Sequence, residues 1–283
     1  IYGGQGDDTL VGSAYADQIA GGSGDDVLDG MAGDDHLYGD SGFYIDLSKR
    51  FDVGASINML TVVNSAGSGD YPTTRDPLNV GADTLIGGDG NDILLGDHGV
   101  ITQAAGTHRL IDSGHVLQIE SFTDTVGGND ELRDASGSNI VIGGIGNDTI
   151  EVDGISSVVS GDNGKLVFSA DGSLVLSFET VDYDALLGGN DQITALAANN
   201  IVFGGVGADL ITTGNGYDIV FGDNAQVVFG ATGAASVLRT LDTSELTGGA
   251  DVMTTGSGAK VVIGGVGGDV INVGLGGSTT GLF

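Results

Sequence analysis

The chain has 283 residues, including 54 glycines, two prolines and no cysteine, and its 39 acids against 8 bases give a formal charge of −31. That charge excludes a nucleic-acid backbone as a partner, and the missing cysteine excludes disulfide staples and thiolate-held metals. The glycines do not recur every third residue as in collagen, and 40% hydrophobic content without a long polar tract argues against disorder.

Residues 3–40 divide into nine-residue units starting at Gly3, Gly12, Gly21, Gly30 and Gly39. GGQGDDTLV (3–11) and GGSGDDVLD (21–29) show the pattern best: a glycine-rich opening, Asp at the sixth position and a large aliphatic residue at the eighth. Glycine tolerates positive φ and close backbone approach, so the first six residues predict a tight turn. The last three predict a short strand whose eighth residue points inward. A unit this small cannot bury its own apolar face, so successive units must stack.

After GDSG (39–42) the pattern is interrupted over about 41–80, where SINMLTVV (56–63) predicts a strand and the two prolines a loop. It resumes at GADTLI (81–86) and GGDGNDILL (87–95), then gives way over about 100–126 to alternating pieces that predict paired strands. GGIGNDTIE (143–151) restores it, and a third interruption at about 165–187 carries KLVFSADGSLVLSF (165–178). Asp171-Gly172 between two alternating runs is a strong hairpin signal. GGVGADLIT (204–212) and TGNGYDIVF (213–221) follow, then a fourth interruption at about 226–247, and GGVGGDVIN (264–272) near the end.

A longer period of about 60 residues overlies the nonapeptide, visible between Gly143, Gly204 and Gly264. Each exit is marked by GD, at 39–40, 96–97, 161–162 and 222–223, and each return by a short acid-containing glycine turn. Exit and return together are expected to complete one turn. The chain begins inside a repeat, so a fragment of a longer protein is expected. No apolar run reaches the roughly 18 residues of a spanning helix, and no signal peptide is visible.

Six close copies of GGxGxDxUx, with worn copies in register between them, resemble the RTX (repeats-in-toxin) calcium-binding nonapeptide. The resemblance implies an all-β fold: one continuous right-handed parallel β-roll (β-solenoid) over 1–283, two nonapeptides per coil, with the interruptions as inserted antiparallel β-hairpins. It implies several Ca²⁺ ions trapped between stacked turns, held by Asp carboxylates and turn carbonyls, which suits a hard cation that takes six to eight oxygens. Sorting the turns alternately places Asp8, Asp26, Asp83, Asp130, Asp148, Asp191, Asp209, Asp251 and Asp269 along one edge. The other edge reads Asp17, Asp35, Asp92, Asn139, Ser157, Asn200, Asp218, Lys260 and Ser278, so its metals should disappear towards the C-terminus. The exit acids Asp40, Asp97, Asp162 and Asp223 either complete sites or cap the departing hairpins.

Outward seventh and ninth positions alternate in character between the two strand sets. One set is polar (Glu131/Arg133, Thr149/Glu151) and the other apolar (Ile93/Leu95, Ile201/Phe203, Ile219/Phe221). A continuous apolar strip is too large to leave wet, so the hairpins are expected to fold back over it, or a second molecule to cover it. No HExxH zinc pair, GxSxG elbow or βαβ dinucleotide loop is present, so the chain is expected not to be an enzyme. The expected role is a calcium-folded structural module of a secreted or cell-surface bacterial protein, such as an adhesin, surface-layer or filament component. Its expected partners are calcium, copies of itself or other surface proteins. A non-catalytic roll of a secreted enzyme or toxin and a glycan- or ice-binding module are the alternatives.

Overall fold

The computed structural model describes residues 1–41, 79–103, 115–121, 126–181, 187–242, 244 and 246–274. The strand expected at 56–63 and the proline loop lie outside these residues. Among the described residues every regular element is a strand, and the strands form three sheets.

Two nine-stranded parallel sheets make the roll. The first contains, in spatial order, Tyr2–Gln5, Gln18–Ser23, His36–Tyr38, Ile93–Leu95, Ser138–Ile142, Ser156–Ser160, Asn199–Phe203, Tyr217–Phe221 and Lys260–Ile263. The second contains Thr9–Ser13, Val27–Met31, Thr84–Ile86, Glu131–Asp134, Thr149–Val152, Gln192–Ala195, Leu210–Thr213, Val252–Thr255 and Val270–Val273. The chain alternates between them, so two nonapeptides close one coil. Among the described residues, His36–Tyr38 is followed by Thr84–Ile86 on the opposite sheet, and Ile93–Leu95 by Glu131–Asp134 once the hairpin between them is passed. Exit and return therefore complete a single turn.

The short strands hold because each eighth residue meets its counterpart in the next coil. Leu132 pairs in register with Ile150, and Ile193 with Ile211 and then Met253. From the facing sheet Val202, Val220 and Val262 stack in the same way. These side chains form one core between the sheets, nearly all of it fully buried. Burying each contributes about 1.5–3 kcal/mol, which a lone nonapeptide cannot gather.

The third sheet has six antiparallel strands from three hairpins: Gly99–Gln103 with Val116–Ser121, Gly164–Phe168 with Val175–Thr180, and Ala225–Phe229 with Ala235–Thr240. Neighbouring hairpins pair with each other as well, Leu166 opposite Ile119 and Phe178 opposite Val227. Their apolar faces lie on the outer face of the first sheet. Ile101, Ile119, Leu166, Phe178 and Val227 form a second core with Leu95, Ile142, Phe203, Ile219 and Phe221. The Phe178 ring stacks on Phe203 with centroids 4.1 Å apart, and Phe203 meets Phe221 edge-on at 5.4 Å. The hairpins thus form the expected cover within one molecule.

The second sheet leaves its outer face to solvent. Thr194, Thr212 and Thr254 stand in file there, between Glu151 on one side and Asn272 on the other.

Candidate metal-binding edges

Along one edge of the roll the sixth-position acids form an unbroken hydrogen-bonded ladder. The backbone N–H of Asp8 donates to Asp26 Oδ1 at 2.7 Å, Asp26 to Asp83 at 2.7 Å and Asp83 to Asp130 at 2.8 Å. Asp130, Asp148, Asp191, Asp209 and Asp251 donate in the same way to Asp148, Asp191, Asp209, Asp251 and Asp269. The order agrees with the sorting made from the sequence, including the steps that cross a hairpin.

The ladder uses only one oxygen of each carboxylate. The Oδ2 atoms of Asp8, Asp83, Asp130, Asp148, Asp191, Asp209 and Asp251 are buried with no hydrogen-bond partner. Each points over the glycine that opens its own turn. A Cβ built on Gly143 would collide with Asp148 Oδ2 and with the Gly161 carbonyl of the next coil, and the relation repeats at Gly161, Gly204 and Gly222. Glycine is required there because an acidic oxygen and a carbonyl converge on the space a side chain would fill. Such a cradle fits a hard cation, which takes carboxylate and carbonyl oxygens at about 2.3–2.6 Å. Without an ion, burial, with neighbouring carboxylates adding, pushes Asp83 up to about 8, and Asp148, Asp191 and Asp209 well above their ordinary value. Among the described residues no three His, Asp or Glu side chains converge on one point. Turn carbonyls must therefore supply part of any coordination shell.

The other edge begins alike and then changes. Asp17 N–H donates to Asp35 Oδ1 and Asp35 N–H to Asp92 Oδ1, both at 2.7 Å. A Cβ on Gly30 would lie 2.5 Å from Asp35 Oδ2 and 2.6 Å from the Gly87 carbonyl. From the fourth coil onward the opening glycine is gone: the position is held by Asp134, Val152, Ala195, Thr213 and Thr255. Val152 and Ala195 are buried in the roll core. Thr213 Oγ1 donates to Asp218 Oδ2 at 2.7 Å, and Ser157 Oγ to Asn200 Oδ1 at 2.6 Å. Lys260, 3% exposed, places its Nζ on Asp218 Oδ2 and donates to the Gly214 carbonyl at 2.8 Å. The protein's own groups fill this half of the edge, and a tethered ammonium neutralises its last acid. Ser278 lies outside the described residues.

The exit acids tie coils together. Asp97 accepts the Gly128 N–H of the return at 2.9 Å and the Ile145 N–H of the following unbroken turn at 2.5 Å. Asp162 does so for Gly189 and Val206, and Asp223 for Gly249 and Val266. Asp40 accepts from Gly81 at 2.8 Å, and its Oδ2 has no partner. Sequence reasoning missed Asp134 and the filled opening positions. The signal was the loss of glycine at the first position of those turns, which matters as much as the loss of acid at the sixth.

Two parallel sheets joined by acid-and-glycine turns, with a file of buried carboxylate oxygens aimed at backbone carbonyls, define a metal-binding repeat solenoid. The profile of the RTX calcium-binding nonapeptide repeat (4 copies) matches residues 2–37, 11–45, 79–99, 124–154, 187–220 and 246–279, more than half of the chain. The chain belongs to the RTX calcium-binding nonapeptide repeat family and is a calcium-binding β-roll. No curated protein shows a significant match to it.

Proposed function

We propose that this chain is a calcium-folded structural module of a secreted or cell-surface bacterial protein, of the kind used in adhesins, surface layers or extracellular filaments, and that it is not itself catalytic. The observation that carries the reading is the file of buried Asp Oδ2 atoms facing glycine carbonyls between successive coils. Desolvating so many acids on one edge is unfavourable unless cations neutralise them. Ca²⁺ between coils would draw on the sixth-position acids of the complete edge and on Asp17, Asp35 and Asp92 of the other. Asp40 keeps an oxygen free for the same purpose. An ion in a cradle offsets the carboxylate charge, so folding and metal binding are one process. Extracellular modules bind Ca²⁺ in the range of about 10⁻⁴–10⁻³ M, which would keep the chain unfolded until it meets external calcium. The bound roll is then a stiff spacer whose length is set by the number of coils.

Far-UV circular dichroism tests this at neutral pH. We expect a largely unfolded spectrum in chelator and a β-rich one at millimolar Ca²⁺. The same β content in both would overturn the reading.

A further inference from the structure

We infer that Asp92 and Asp134 form a divalent-cation site with two carboxylates, where neighbouring turns of the same edge offer one. The inference rests on the calcium-binding reading above. Asp134 opens the fourth turn of the incomplete edge, at the position where the three preceding turns have Gly12, Gly30 and Gly87. Its side chain reaches back over Gly87. A Cβ on Gly87 would lie 2.9 Å from Asp92 Oδ2 and closer still to Asp134 Oδ2. Two acidic oxygens therefore converge where other cradles hold one acid and one carbonyl.

Both residues are shut off from water, Asp92 at 0% and Asp134 at 5% exposure. Their first oxygens are already engaged. Asp92 Oδ1 accepts the Asp35 N–H at 2.7 Å, and Asp134 Oδ1 accepts the Ser136 N–H at 3.1 Å and Asn139 Nδ2 at 2.8 Å. Neither Oδ2 meets a donor from any other residue, and the two carboxyl groups lie within hydrogen-bonding reach of each other. Among the described residues no basic side chain pairs with either acid: neighbouring Arg133 is directed outward, to Glu131 and Glu151. The contrast with the far end of this edge is direct, because there Lys260 supplies the cation to Asp218 from within the protein. Here a second acid is added and no base. Two like charges buried side by side are strongly unfavourable, and an all-oxygen pair of hard donors selects a Ca²⁺-class ion. Asp134 also restores the charge lost where Asn139 replaces the sixth-position acid of its own turn.

The test is calcium binding to the full chain, wild type against Asp134→Asn, by isothermal titration and by competition with a calcium-selective chelator. Asparagine keeps the Oδ1 acceptor for Ser136 and replaces the charged Oδ2 by a neutral amide nitrogen, which cannot ligate the ion. We expect the wild type to retain one ion at a free calcium concentration about tenfold below that which empties the other sites, because added ligand charge tightens such sites. Asp134→Asn should lose that tight class, with an unchanged circular dichroism spectrum in saturating Ca²⁺. If Asp134→Asn does not fold, Asp134→Gly, which restores the repeat's usual residue, should show the same loss. Calcium binding by the wild type with an undiminished tight class in the folded variant overturns this inference alone. A proton shared by the two carboxyls in place of a metal would give that result. No calcium binding by the wild type overturns the calcium reading itself.

Discussion

At the scale of single residues, the buried ladder acids Asp35, Asp83 and Asp251 respond to pH in a direction opposite to most carboxylates. Burial raises Asp35 to about 7, Asp83 to about 8 and Asp251 to about 6 in the metal-free fold, against about 3.9 for Asp in an unfolded chain. The metal-free fold then holds protons that the unfolded chain has released. Its stability is fully present below about pH 4 and is lost as pH rises through about 6 to 8. Calcium reverses this, because the ion competes with those protons. Far-UV circular dichroism in chelator should therefore show more β content at pH 4.5 than at pH 7.5, while in millimolar Ca²⁺ the urea-unfolding midpoint should be higher at pH 7.5 than at pH 4.5. A metal-free chain more stable at pH 7.5 would contradict the raised values.

At the scale of elements, the third sheet is a cover for a face the repeat itself makes apolar. Phe178 is its anchor, fully buried and stacked on Phe203 of the roll. Phe178→Ala in the calcium-bound protein should cost about 3–5 kcal/mol and expose apolar surface to a dye such as ANS, while the parallel sheets persist. A loss below about 0.5 kcal/mol would mean the hairpins do not hold to the roll through this contact. This layer was legible in the sequence because the outward positions of alternate strands, Ile201/Phe203 against Gln192/Thr194, differ so sharply. The edge order was legible because every hairpin leaves after the same GD and returns to the same acid. The clamps made by Asp97, Asp162 and Asp223 were not, since their N–H donors lie in later coils and depend on the fold's close approach. Asp134 was hidden for a related reason. Its partner Asp92 is distant in sequence, and a rule that reads acids only at the sixth position passes over one at the first.

At the scale of the whole molecule, the two edges have diverged in how they cancel charge. One keeps glycine and Asp in all nine turns, and under the proposed function ions would neutralise it. The other keeps the glycine-and-Asp turns only in its first coils, and then uses Val152, Ala195, Thr213 and finally Lys260. On the proposed function, calcium would hold the complete edge along the whole file of described coils and the other edge only over its first coils. An anomalous difference map from calcium-loaded crystals, recorded at long wavelength, tests this most directly. We expect an unbroken file of peaks between successive turns of the complete edge. On the other edge we expect peaks only beside Gly12, Gly30 and Gly87, and none from Val152 to Lys260. Peaks of equal height on both edges beyond Asp134, or a bare complete edge in millimolar calcium, would contradict it.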